Sequence, residues 1–278
     1  LALMVIALAA LFLPPLSPRW PSTLAGPDAQ GLKRSADFYF DVAAGDVRSH
    51  SSVNKFGSNP DVDSAAVEDI WDGGGTWVAP TVAQVHAITS TSVTDAITGT
   101  GARTMQVYGL DSAGVLINET VTLSGGNSIS TTNSYLMIHR LVVRTAGAGG
   151  ANAGIIRATA GTDRTVTAQI NAGNNQTLMA IYQIPADNDG CMLNFYASLL
   201  KAVGATATVN VIIKAKPENE VYQAKHKLGI IKDGSSAIEH KFFVPNCFEP
   251  LTIIKMTADS NVDNVDMSAG FDMVLHPN

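Results

Sequence analysis

Charge is scarce in this chain, and so are aromatic rings: Asp, Glu, Lys and Arg make up 15% of its 278 residues and Phe, Trp and Tyr 6%. With 18 basic against 24 acidic residues the net charge is −6. No overall positive field draws phosphates in, so general nucleic-acid binding is disfavoured and only a local basic patch remains open. There are two cysteines, Cys191 and Cys247, too few for a disulfide scaffold, and free, partly buried thiols are expected. Also missing are a G-x-S-x-G elbow, an H-E-x-x-H helix, and the Lys-Ser/Thr that would make a phosphate loop of Gly73-Gly74-Gly75. No amphipathic helix separates the candidate strands, which excludes a parallel sheet with crossover helices. What is abundant is small: 24 glycines and many Ala, Thr, Ser and Val, a β-leaning repertoire.

The clearest local signal lies in residues 103–125. Two alternating runs flank Asp111-Ser112-Ala113-Gly114, an Asx-type turn starter closed by a glycine able to take positive φ, and together they predict a hairpin. Around it the chain divides into four parts. Residues 1–31 form an apolar, Pro-rich leader, too short to span a bilayer comfortably and without a basic stretch before its apolar core. Three readings of it stand equal: a signal-like core, a fragment lacking its true start, or upstream sequence joined to a protein that begins near Leu32. Residues 32–75 read as a flexible arm carrying a short aromatic strand at 37–42 and one or two helical turns at 64–71. Residues 76–173 hold six candidate strands, at 82–90, 103–110, 115–123, 134–144, 154–160 and 164–170, and the small-residue run 146–151 reads as a flexible loop permitting close backbone approach. Residues 174–278 hold seven more, at 177–184, 191–200, 207–216, 221–231, 235–244, 251–258 and 267–275, with turns marked by Gly204, Pro217, Asp233-Gly234 and Pro245. The fold class is therefore all-β: two tandem antiparallel β-sandwich or jelly-roll domains behind a flexible N-terminal arm.

Candidate chemistry is thin. His226 and His240 fall on strands flanking 232–234, and apolar matching puts both rings on one face, yet a zinc site would still want two more ligands. Asp259, Asp263 and Asp266 offer a calcium loop without the usual glycine and glutamate positions, so solvated turn carboxylates are expected. Asp61, Asp63, Glu68, Asp69 and Asp72 read as a solvated face. Trp71 and Trp77 are the aromatics in loop-like sequence and hence the candidates for stacking a sugar. No catalytic, cofactor-binding or metal-binding residue is expected, no cofactor, and no membrane partner.

Four segments add a family likeness: WDGGGTW at 71–77, TGTGARTMQVYGLDSAGVLINETVTLSG at 98–125, TTNSYLMIHRLVVRTAGAGGANAG at 131–154 and AQINAGNNQTLMAIYQIPA at 168–186. In their serial order they resemble β-rich virion structural proteins of marine tailed bacteriophages, of the capsid-decoration or tail-associated type. The resemblance runs from about Lys33 to the end and excludes residues 1–31. It implies a non-enzymatic role in the virion; the expected partners are other virion proteins and copies of this chain, with a trimer as first choice, and residues 33–60 are expected to dock on the shell. The alternative from another class is a secreted carbohydrate-binding or adhesion module that touches a host-surface glycan.

Overall fold

The computed structural model describes residues 35–202, 207–232 and 236–278. The leader, the start of the arm, Gly204 and the turn at Asp233-Gly234 lie outside the described residues. Among the described residues the fold is all-β apart from one helix, α1 (Ser35–Ala44). The strands are β1 (Ser51–Val62), β2 (Glu68–Asp69), β3 (His86–Ser90), β4 (Ala102–Leu110), β5 (Leu116–Thr122), β6 (Ile129–Ser130), β7 (Met137–Ala146), β8 (Ile156–Ala160) and β9 (Val166–Ile170). They continue with β10 (Ile181–Gln183), β11 (Asn188–Lys201), β12 (Thr208–Lys216), β13 (Gln223–Ile231), β14 (Ala237–Phe248), β15 (Ile253–Ser260) and β16 (Val265–Pro277). Every named pairing is antiparallel.

The two larger sheets run β1-β16-β11-β14 and β10-β15-β12-β13, with β2 added to β15. Leaving out the strands between β1 and β10 and β2 itself, this is the order 1-8-3-6 over 2-7-4-5, the double Greek key of an eight-stranded jelly roll. Its core is built from alternate residues of facing strands: Ala269, Phe271, Met273 and Leu275 of β16 and Met192, Phe195 and Ala197 of β11 meet Val209, Val211 and Ile213 of β12 and Ile254 and Met256 of β15. Strands β3–β9 form a second sandwich, sheets β6-β3-β8-β9 and β5-β4-β7, around Ile88, Met105, Val107, Ile138, Leu141, Ile156 and Ile170.

The arm is where expectation and structure part. Residues 51–62 were expected as part of a flexible lead-in, but they are β1, paired with β16 from Ser51↔Leu275 to Val62↔Val265. The two sandwiches are thus not simply in tandem, because the first is inserted between strands one and two of the second. The buried positions in the middle of β1 are Lys55, Gly57 and Asn59, and only Val53 and Val62 near its ends pack on the core, so its alternation carries little apolar signal. Gly57 sits there because a Cβ would fall 2.4 Å from Ala180 N and Ile70 O. Pro60 is tolerated at the irregularity between Asn59 and Val62 on an edge strand. Residues 37–42, expected as a strand, lie in α1, where Phe38 and Val42 share a face at i, i+4 and Gly45 (φ +80°) closes the helix with its N–H on the Val42 carbonyl. Residues 64–71, expected as helical turns, hold a turn followed by the two-residue β2, and Ile70 is drawn into the jelly-roll core with its N–H donating to Met256 O at 2.9 Å.

The hairpin at 103–125 forms as expected. Asp111 Oδ1 accepts the N–H groups of Ala113 and Val115, each at 2.9 Å, and Gly114 takes φ +75°. Its tip reaches the jelly roll, where Gly114 O accepts the Ala186 N–H at 3.0 Å and a Cβ on Gly114 would press into Leu251 and Ala186. The glycine loop at 147–150 is pinned by Gly147 N–H to Gly101 O and Gly149 N–H to Thr100 O, both 2.8 Å.

Candidate assembly surface

One side of the jelly roll, carrying β1 and β10, is covered by the inserted sandwich; the other ends on β13 and β14, the last strands of their sheets. Both are exposed along most of their length. Their outer edges leave backbone donors and acceptors free for another chain, the arrangement that natural sheets ordinarily guard against. Two adjacent apolar side chains stand in solvent here, Phe243 at 102% and Val244 at 74%, with Val221 just before β13 and Ile231 at its end also exposed; Val93 and Phe40 are exposed elsewhere. The cause is a bulge, in which residues 242–245 of β14 stand opposite the single residue Leu193 between the pairs Asn194↔Lys241 and Met192↔Asn246. Phe242 turns in toward Phe195 and its two successors turn out.

Beneath this edge lie the two histidines singled out from the sequence. Their rings do come together, centroids 4.4 Å apart, but from opposite sheets rather than one hairpin: His226 is on β13, His240 on β14, and Phe195 and Phe242 fill the space around them. Burial, then the neighbouring His240, lowers the pKa of His226. No group of three or more His, Cys, Asp or Glu able to hold a metal occurs among the described residues. The pair therefore plugs the open mouth of the sandwich as aromatic packing.

The remaining candidates are dispersed. Asp263 is occupied by Ser64, accepting its N–H at 2.9 Å and its hydroxyl at 2.6 Å, while Asp259 faces Asn210 and Asp266 faces Lys201 across the ladder. Within the expected solvated acidic face, Asp69 and Asp72 are instead buried, and Glu68 organises the turn by accepting from Asn59, Asp63 and Gly75. Trp71 and Trp77, expected in loops, are 5% and 2% exposed; each indole N–H is satisfied internally, on Gly74 O and Thr167 O, both at 2.8 Å. Neither presents a ring for a sugar. The cysteines correct a further expectation: Cys191 and Cys247 are directly opposed on β11 and β14 and are joined as a disulfide. A spacing of 56 residues gave no hint of this, because only the strand register places them together.

Buried titratable groups set the acid behaviour. Burial lowers His86 to about 4 and, helped by Lys55 and Arg140, His139 to about 3, while burial raises Asp72 to about 6. Each histidine binds its proton better when unfolded, so its contribution is complete above pH 6.5 and is lost as pH falls toward its folded value. Asp72 runs the other way and gains as pH falls through 6. Two histidines outweigh one aspartate, so denaturant melts should give a protein about 2–3 kcal/mol less stable at pH 5 than at pH 7. His86→Leu should remove most of that difference; an unchanged slope would mean that His86 titrates normally.

No family model matches the chain, and no curated protein matches it. Among solved structures it aligns with one titled "Structure of infectious bursal disease virus Gt strain", at 10% identity over 83% of this chain and 73% of that one, with a TM-score of 0.19. A likeness at that score carries no argument, and the functional reading rests on topology and side chains.

Proposed function

We propose that this chain is a non-enzymatic structural subunit of a virus particle, of the tailed-bacteriophage kind its sequence resembles, serving as a capsid decoration or tail-associated protein. The observation that carries this reading is the 1-8-3-6 over 2-7-4-5 strand order with one edge pair left open. Eight-stranded jelly rolls recur in capsid and lectin domains, so architecture alone leaves an assembly role and a carbohydrate-binding role standing. The side chains favour assembly: the two loop tryptophans are buried, while Phe243 and Val244 stand in solvent beside unpaired β-edges. Such a surface suits a neighbouring subunit or another virion protein, and a symmetric homo-oligomer, a trimer first, follows. Residues 33–60 are proposed to dock on the shell, but deleting them would also remove most of β1 from the jelly roll, so substitutions of exposed residues before β1 are the test of that role.

Sedimentation velocity of the full chain should show concentration-dependent association, and Phe243→Asp with Val244→Asp should return a monomer whose melting temperature is unchanged, because both side chains face solvent in the single chain. Mass spectrometry of purified particles should then find the wild type and not the double variant. A wild type that stays monomeric at every concentration and is absent from particles, or that binds glycans as a monomer, would overturn the proposal in favour of the carbohydrate-binding alternative.

A further inference from the structure

Where the inserted sandwich meets β1, a groove of about 720 Å³ runs between residues 51–56 and the outer face of the β5-β4-β7 sheet. Acids outnumber bases in the chain by 24 to 18, yet among the described residues no Asp or Glu lines this groove, whereas Lys55, His139, Arg140 and Arg144 all do. The strand pattern explains the concentration. Arg140, Val142 and Arg144 are spaced by two along β7 and share its outer face, and His139 is the extra residue of a bulge, since Tyr108 pairs with Arg140 and Gly109 with Ile138.

The cations are incompletely satisfied. Lys55 is 4% exposed, and its Nζ donates to the His139 carbonyl at 2.5 Å, one bond for a group with three donors. Arg140 donates to Asn54 O at 3.1 Å, and Arg144 donates to the Tyr108 hydroxyl. Among the described residues none of the three has a carboxylate partner; the ion pairs there are Lys255–Asp69 and Lys241–Glu239. His139 is 8% exposed, and its Nε2 has no hydrogen-bond partner. Of the three only Lys55 is buried, and burial, then Arg140, lowers its pKa, so an anion beside it would restore its charge; the half-buried Arg140 and exposed Arg144 offer guanidinium forks that match the oxygens of a planar or tetrahedral anion.

We propose that this groove is an oxyanion-binding site, in which Lys55, Arg140 and Arg144 hold a carboxylate, sulfate or phosphate group. Gln176 and Tyr108 border it and supply neutral hydrogen-bonding groups, and Leu116, Val142 and Tyr182 give the bound molecule an apolar wall. This site is separate from the β13–β14 edge and does not depend on the assembly reading.

Isothermal titration of the full chain with citrate, sulfate and inorganic phosphate, at constant ionic strength set with sodium chloride, tests it. Saturable one-to-one binding is expected for at least one of them. Preference for citrate would point to an acidic side chain or acidic sugar as the natural source, and preference for sulfate or phosphate to an ester. Arg140→Ala with Arg144→Ala should weaken that binding at least tenfold, the size expected for losing charge-assisted bonds. Should the double variant fold poorly, Arg144→Glu, at an exposed position, should do the same, while Lys225→Ala on β13 should leave affinity unchanged. Absence of saturable binding by all three anions, or binding indifferent to Arg144→Glu, would overturn the proposal.

Discussion

Asp95→Ala should destabilise the protein by about 3–5 kcal/mol, seen as a fall in the denaturant midpoint with an unchanged slope. Asp95 is completely buried and its carboxylate accepts four hydrogen bonds: Ala102 N–H and Ala153 N–H on Oδ1, both 2.8 Å, and Ser90 Oγ–H at 2.6 Å and Gly154 N–H at 2.9 Å on Oδ2. These tie the end of β3, the start of β4 and the loop before β8 into one knot. Alanine strands the two buried backbone donors of Ala102 and Gly154 with no water to take them, and frees the part-buried Ala153 N–H. Asp95→Asn separates charge from geometry, because its carboxamide nitrogen must confront donors on one side. It should cost about 2–3 kcal/mol. A loss below about 1 kcal/mol for Asp95→Ala would show that the knot rearranges freely.

Lys255→Met is the second large effect, also expected at about 3–5 kcal/mol. Lys255 Nζ lies 2.8 Å from Asp69 Oδ2 and over the Tyr222 ring at 4.4 Å, and both partners are buried. The same Asp69 oxygen accepts the Trp77 N–H at 2.7 Å, while Oδ1 has no partner. The pair thus anchors the chain where it leaves β2 for the inserted sandwich. Burial raises the pKa of Asp69, and Lys255 pulls it back down. Without the ammonium the folded state binds the Asp69 proton more tightly than the unfolded chain does, so the deficit of Lys255→Met should shrink as pH falls from 7 to 5. Adding Asp69→Asn removes the orphaned charge and should recover most of the loss at pH 7. A double variant no more stable than Lys255→Met would mean that the pair contributes through packing alone.

Much of the strand inventory is legible in the sequence because side chains alternate with a period of two. Residues 269, 271, 273 and 275 of β16 are apolar and buried as their alternation requires, and the 111–114 turn is written in an Asp and a Gly. The candidate sites were far less legible. The outer face of β7 spells Arg140-x-Val142-x-Arg144, a period-two signal present in the sequence, but it became a cationic groove only when β1 closed over it. The β14 edge depends on a bulge whose register no local pattern encodes.

The sequence by itself determined that this protein is antiparallel β, where most strands begin and end, and that it carries none of the common catalytic motifs, because local alternation and turn chemistry are properties of neighbouring residues. Tertiary structure alone decided that Ser51–Val62 is strand one of a jelly roll, that Cys191 meets Cys247, and that Asp69, Asp72 and both loop tryptophans lie inside. Those outcomes depend on which strands pair across more than fifty residues. Pairing at that range is settled by how whole faces pack and how closely backbones approach, and a polar strand built on Lys55, Gly57 and Asn59 shows its partner only once the sheet has closed.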